Sequence, residues 1–479
     1  VTGRNDWSSA LVYANGTGNH SYFYPSVSGS WIISETFREQ LPEWISFAKV
    51  RGSWAQVGND TDPYYVNQAY GFGGNIYTNT LNTIMKASNL KPERKNAWEI
   101  GLDFRTFKNR LNLDVTYYKE NTKDQIMEIA TPWVSGISTQ LINAGNIQNQ
   151  GIELALNTIP FQNEDWEWGL DFTWTKNTSK IVELHPDAAE YISLAGQVNA
   201  YDYRIGSVAK VGGSYGMLMT DILPARDDQG RVLLNYSDTR RAVYERRSGV
   251  VQELGDMQPD FLGSMSTSLR WKNLSLHVGL DMRIGGLVAM YSNRYGSNAG
   301  WTKTSLKYRD AASGGLTWTS QYAGGSNGIT YEDGVILEGV FAPGTSATGI
   351  DGKSHDISGM THQQAIDAGI IEPTHASAYH VFRNSWGEGV VNDDWVHELS
   401  YIALRDITLS YRMPKSIASK IGAKGLNLSL AARNVGYIYN SLPNNVHPES
   451  VRGNRSAEFR IRGYEPYIRN YTFTINAEF

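Results

Sequence analysis

The sequence predicts an all-β fold: an antiparallel set of membrane-crossing strands that forms part of a transmembrane β-barrel. Three observations carry this expectation. The first is strict alternation of apolar and polar residues. In the last nine positions Tyr471, Phe473, Ile475, Ala477 and Phe479 share one parity, and Thr472, Thr474, Asn476 and Glu478 share the other. Such a pattern describes a strand with one apolar and one polar face. The second is that short and long connections alternate along the chain. That is the layout of a meander with small turns on one side of a bilayer and large loops on the other. The third is the placement of rings at strand ends, at Trp44, Trp98, Trp166, Trp271, Trp395 and Tyr411. Amphipathic rings favour a lipid–water boundary.

The elements follow in order. Trp98, Ile100, Leu102 and Phe104 alternate with polar residues, and Leu111, Leu113, Val115 and Tyr117 continue the pattern after a turn at Lys108–Arg110. Ile152, Leu154 and Leu156 mark a third strand, and Trp168, Leu170, Phe172 and Trp174 a fourth. Met265 to Trp271 and Leu274 to Ile284 form the clearest hairpin, joined at Lys272-Asn273. Ile407, Leu409 and Tyr411, then Leu426, Leu428 and Leu430, complete the late set. Counting back from the C-terminus gives about twelve strands of ~9–14 residues, long enough to cross a bilayer with tilt. Long connections are expected at 58–92, 123–146, 177–260, 286–397 and 435–469. The last strand, 470–479, runs toward the short-turn, periplasmic side, so the long loops face outward. No stretch has helical period, apart from a helical turn at Ile417–Gly422. A soluble β-sandwich would show the same alternation with its faces exchanged. The asymmetric loops, the end-of-strand rings and the terminal Phe479 favour the membrane.

Composition excludes several classes. The chain has 479 residues, a formal charge of −5 and no cysteine. That removes disulfides, thiolate metal sites and a cysteine nucleophile, and no charge excess points to nucleic acid. The 28 Tyr, 14 Trp, 14 Phe and 47 Gly, at a mean hydropathy of −0.39, suit a β-rich chain with thin apolar faces. No apolar run is long enough for a transmembrane helix. The opening Val1-Thr2-Gly3 reads as a cut rather than a beginning.

Several segments resemble the C-terminal half of the SusC/RagA-like family of TonB-dependent outer-membrane transporters. They are Asn89 to Asp103, Asn109 to Tyr118, Asn143 to Leu154, Leu399 to Pro414 and Ala431 to Asn434. The resemblance runs from Phe23-Tyr-Pro-Ser26 to Phe479 and departs at His447-Pro448-Glu449, where the family often carries Asp-Pro-Glu. It implies a 22-stranded outer-membrane barrel with an N-terminal plug and a TonB-binding segment. It also implies import of large nutrients beneath a SusD-like surface lipoprotein. Glycans are the commoner cargo and peptides the alternative. On that count residues 1–479 are the C-terminal portion of the barrel, the plug and about ten strands lie outside this chain, and two sheet edges stay open. The rival readings are a passive porin and a soluble carbohydrate-binding protein or enzyme.

The candidate site residues fall in three groups. Glu99, Asp103, Arg105, Asp281 and Arg283 are expected to face a wet lumen, with lipid against their alternates. Tyr471, Phe473 and Phe479 are the barrel-closing residues. The large loop 286–397 carries Tyr291, Tyr295, Trp301, Tyr308, Trp318, Tyr322, Tyr379 and Trp386. Their aromatic faces suit stacking on sugars or peptide side chains, or packing of the loop on itself or a lid protein. No catalytic centre is expected. Gly212-Gly-Ser214-Tyr-Gly216 matches a nucleophile-elbow pattern but no helix is expected after it. Nine scattered histidines show no metal spacing. Asp227-Asp228-Gln-Gly230 and Asp351-Gly352 are fragments of calcium-loop chemistry, with turn formation the simpler account. A loop calcium is the one cofactor left open.

Overall fold

The computed structural model describes all residues except 64, 68–83, 87–88, 131–138, 186–189, 197, 199–203, 238, 247–249, 323–325, 385–390, 452–456 and 464–465. One sheet dominates. Its twelve main strands are β1 (Thr2–Trp7), β2 (Ser21–Ile32), β3 (Ile45–Asn59), β4 (Glu93–Thr106), β5 (Leu111–Ala130) and β6 (Thr139–Gln162), then β7 (Trp166–Glu183), β8 (Phe261–Trp271), β9 (Leu274–Ile284), β10 (Tyr401–Arg412), β11 (Gly425–Asn440) and β12 (Asn470–Glu478). Each pairs antiparallel with its neighbours in chain order. A short strand, Ile84–Lys86, adds in parallel to the start of β6. The sheet is open. Among the described residues β1 and β12 each lack a partner on one side.

The register sorts the side chains into two faces. Trp54, Trp98, Lys119 and Gln150 lie in one cross-strand row, and Val50, Leu102, Val115 and Leu154 in another. This apolar face is half exposed throughout the strands, as a lipid-facing wall requires. Rings gather at its two rims. At the short-turn rim Trp44 stacks on Phe107 at 5.9 Å and Trp166 on Trp271 at 5.6 Å. At the opposite rim Trp98 meets Tyr117 at 5.3 Å and Trp174 meets Phe261 at 6.2 Å. Such paired girdles bound the apolar band of a membrane barrel. Trp395 does not join them; it is buried among the outer loops.

Turn chemistry explains the short rim. Phe107, Lys108 and Asn109 all take positive φ, which closes the β4–β5 turn in few residues, and Lys272 does the same between β8 and β9. The helical turn expected near Ile417 forms as Lys415–Ala418 followed by Ser419–Ile421.

Two expectations change. The segment 123–146 is not a loop: β5 and β6 continue as a ribbon from Lys123↔Asn146 through to Ala130↔Thr139. Strands there have left the bilayer and bury apolar side chains on both faces, Leu141 on one and Ile142 and Ala144 on the other, so they lose the alternation that reveals them. Strand lengths accordingly run from 6 to 24 residues rather than clustering near a bilayer span. The long loops are also not irregular. Segments 184–260, 285–400 and 441–469 interlock into a folded outer cap. Leu233 and Leu234 pair in parallel with Val340 and Phe341, and Ala289 and Met290 with Arg460 and Ile461. Short helices at Tyr291–Asn298, His362–Asp367 and Ala376–Asn384 pack among these strands. The main apolar cores lie here: Leu234, Phe341 and Ile357 in one, Ile205, Leu218 and Phe459 in a second, Met290, Leu442 and Ile461 in a third.

Candidate functional site

The polar face of the wall is a ladder of paired charges. The Arg51 guanidinium donates to both oxygens of Asp114 at 2.8 Å and to Thr116 at 2.5 Å. Arg105 donates to Asp103 at 3.0 Å, two residues along the same strand and therefore on the same face. Above them a hollow of about 490 Å³ is lined by Glu99, Glu120, Glu153, Thr116 and Tyr118. Its carboxylates give this stretch of the lumen an acidic character.

On the far side of the wall the ladder reaches the cap. Arg405 is the extra residue of a bulge where β10 shifts register against β9, and on its other side it faces two residues of β11, Asn434 and Val435. Its guanidinium bridges Asp281 at 2.5 Å and Glu449 at 2.6 and 2.9 Å, and the Tyr437 hydroxyl donates to Glu449 at 2.8 Å. Burial alone would raise the Glu449 carboxyl; the hydrogen bonds from Arg405 and Tyr437 outweigh it and hold it below the ordinary range. One cap segment, 441–469, is thereby tied to the wall. In the His447-Pro448-Glu449 turn, His447 Nδ1 lies 3.1 Å from the Ser450 hydroxyl, so an imidazole caps the turn.

Next to this tie lies a pocket of about 500 Å³, lined by Trp301, Thr302, Lys303, Asn444, Asn445, Val446, His447 and Tyr467. Trp301, on its rim, is 85% exposed. An open aromatic face beside the exposed Asn445 amide, the Asn444 carbonyl and the Lys303 ammonium can stack on a ring and orient its polar substituents. The Asn444 Nδ2 donates instead to Asn293 and Thr304.

The residues expected from sequence distribute unevenly. Asp281 enters the Arg405 tie, and Glu99, Asp103 and Arg105 lie on the polar face. Arg283 is not open to a lumen: its guanidinium donates to the carbonyls of Met257 at 2.9 Å and Leu399 at 3.3 Å, fastening the roots of two cap segments. Of the loop rings, Trp301 lines the pocket and Tyr295 is exposed. Tyr291 and Tyr322 are buried instead, Tyr322 with its hydroxyl 2.9 Å from that of Tyr236, and burial raises both phenols above their ordinary value. Tyr308 packs edge-on against Tyr379, and Trp318 stacks on Tyr331 beside His375. Trp386 lies outside the described residues. Tyr471 and Phe473 stand exposed along the free edge strand β12, and Phe479 is exposed just past its end.

Three motifs resolve simply. Ser214 sits in a hairpin followed by a strand, Tyr215–Thr220, not by the helix that a nucleophile elbow needs. Asp227 accepts from the backbone of Gln229 and Arg231, and Asp351 from Lys353 and the His355 ring. Each carboxylate thus serves its own turn. Among the described residues no three His, Asp or Glu groups converge on a metal-sized site. The residues that sequence reading missed are Arg405, Lys303, Asn444, Asn445 and Tyr467. One signal was present for Arg405: the apolar parity flips between Ile402, Leu404 and Ile407, Leu409, which marks the bulge.

The chain matches the family model described as TonB dependent receptor-like, beta-barrel, over residues 1–435. It is 23% identical to TonB-dependent receptor P3 of Formosa agariphila, over 100% of this chain and 43% of that protein. It is 24% identical to TonB-dependent receptor SusC of Bacteroides thetaiotaomicron, over 60% of this chain and 29% of that one. Among solved structures the RagAB peptide importer in its closed-closed state shares the fold at a TM-score of 0.65 and 19% identity, covering 99% of this chain and 45% of that chain. The chain therefore spans less than half the length of these relatives. With a match over nearly all of its wall, this chain belongs to the TonB-dependent receptor-like β-barrel family of the outer membrane.

Proposed function

We propose that the protein containing this chain imports a large nutrient across the outer membrane in a TonB-dependent manner, with an oligosaccharide as cargo. The observation that carries the cargo reading is the Trp301 pocket. It sets an exposed indole beside Asn444, Asn445, Lys303 and Tyr467. Sugar rings present C–H faces to an aromatic platform and hydroxyls to amides and ammonium groups. The charged ladder below would offer successive polar contacts to a hydrated cargo. A SusD-like surface lipoprotein fits above the cap, and a plug and further barrel strands, carried elsewhere in the protein, would pair with β1 and β12 and reach TonB. The turns at Asp227 and Asp351 give no argument for calcium, and it is not part of this reading.

A second reading is a peptide cargo. The structural neighbour described as a peptide importer supports it, as does the presence of Lys303 in one hollow and three carboxylates in another, which suits a chain with both charges. Calorimetric titration of the full-length complex with oligosaccharides and with oligopeptides separates the two. Saccharide binding that weakens about fivefold in Trp301→Ala is expected, since a stacked ring contributes about 1 kcal/mol. Binding of peptides alone moves the assignment to the second reading, and binding of neither overturns both.

A further inference from the structure

The outward face of β4 to β7 changes character just beyond the Trp98–Tyr117 rim. Lys119 lies directly opposite Trp98, and Arg94 directly opposite Lys123. Lys176 is opposite Ile152 and Lys180 opposite Gln148. No register shift intervenes between these positions and the lipid-facing Leu102, Val115 and Leu154, so all five cations point outward. The residues between them on that face are neutral: Asn96, Asn121, Gln148, Gln150 and Thr178. Most carboxylates at this height point the other way, Glu183 opposite Asn146 at the upper edge being the exception. Glu120 pairs with Lys95 on the inner face, and Glu99 and Glu153 line the inner hollow.

This segregation is costly unless something offsets it. Like charges directly opposite on neighbouring strands repel, and Arg94 and Lys123 are such a pair. None of the five makes an ion pair with a described residue, and Arg94, Lys123, Lys176 and Lys180 are exposed. The patch begins at the aromatic rim and climbs roughly 7 to 20 Å along the strands, at about 3.3 Å per residue. At that height, on the long-loop side, a membrane presents the headgroups of its outer leaflet. Cations at a headgroup surface recognise phosphate, and amides and hydroxyls between them suit saccharide oxygens.

We propose that the outward face of β4 to β7 is a binding surface for a phosphorylated glycolipid of the outer leaflet. The inference rests on the membrane orientation of the wall and is independent of the cargo reading. The surface is continuous with the lipid-facing wall, so its occupant is a lipid headgroup rather than a soluble anion or an acidic protein.

The test uses the full-length protein in neutral phosphatidylcholine vesicles, doped with bisphosphorylated lipid A or with the same lipid after phosphate removal. A higher unfolding midpoint with the phosphorylated lipid, and its retention through detergent exchange, is the expected result. The combined variant Arg94→Gln, Lys119→Gln, Lys123→Gln, Lys176→Gln, Lys180→Gln should lose the difference and retain several-fold less lipid. A variant with the four lysines changed to arginine should keep both. Equal midpoints in the two lipids for the unaltered protein would overturn the proposal, whether or not the glutamine variant folds. So would a folded glutamine variant that keeps the preference, or displacement of the lipid by inorganic phosphate alone.

Discussion

At the residue scale, local geometry decides which side chains can change. Gly286 has φ of +85°, and a Cβ there would lie 2.6 Å from the Met257 carbonyl oxygen and 2.8 Å from the Arg283 guanidinium. Gly286→Ala would therefore strain the root of the largest cap segment by about 1–3 kcal/mol, read as a lowered unfolding midpoint of the full-length protein. His362 is fully buried; its Nδ1 accepts from the Leu337 backbone, and burial lowers its pKa to about 4, an effect that the Glu372 carbonyl offsets only in part. A histidine held below its unfolded value near 6.5 stays neutral in the cap while the unfolded chain takes up a proton. Its contribution is intact above pH 6.5 and is lost as pH falls toward 4, up to about 3 kcal/mol. Hydrogen exchange at Leu337 and Phe341 should accelerate over that window, and His362→Gln should flatten the dependence.

At the element scale, the two faces of each strand obey different rules. Leu102 lies mid-band on the lipid face of β4, and Glu99 lies on the opposite face. Leu102→Arg should cost about 2–4 kcal/mol in urea unfolding from vesicles, while Glu99→Gln should change stability by less than about 1 kcal/mol. The bulge in β10 ties an element of the cap to the wall. Arg405→Ala would leave Asp281 and Glu449 facing each other without their cation, and the side chains of Arg405 and Glu449 are only 24% and 32% exposed. A loss of about 1–3 kcal/mol in docking of 441–469 is expected, visible as faster exchange at Leu442, Val446 and Ile461. The alternation of β4, β8 and β9 made these strands legible from sequence, because lipid on one side and water on the other enforce it. The upper ribbon of β5 and β6 was not legible, because both of its faces pack against other segments, Leu141 with Leu11 and Leu90, and Ile142 and Ala144 with Ile192. Arg405 was legible only through the parity flip in β10, and the cap helices were too short for any period to show.

At the scale of the molecule, the wall and the cap divide the work of stability. The wall is held by its ladder and by lipid, and the buried apolar clusters are concentrated in the cap. Membership in the outer-membrane family sets aside the soluble sandwich as an account of the alternation. An open sheet edge is not stable in hydrocarbon, where every backbone group needs a partner. Deleting residues 470–479 from the full-length protein would expose the β11 edge along its pairing from Gly425 to Arg433. Loss of the heat-modifiable, folded band in outer-membrane fractions is the expected outcome.

The sequence by itself determined the main wall strands, the division of their side chains between two faces and the alternation of short and long connections. Those follow from local alternation and from turn residues, and both are written residue by residue. Only the tertiary structure decided what the long loops do. Three segments far apart in the chain pair in parallel, bury Tyr291 and Tyr322, and leave Trp301 open beside Tyr467. No local pattern specifies contacts between segments separated by a hundred residues or more, because each segment buries its apolar side chains only against the others.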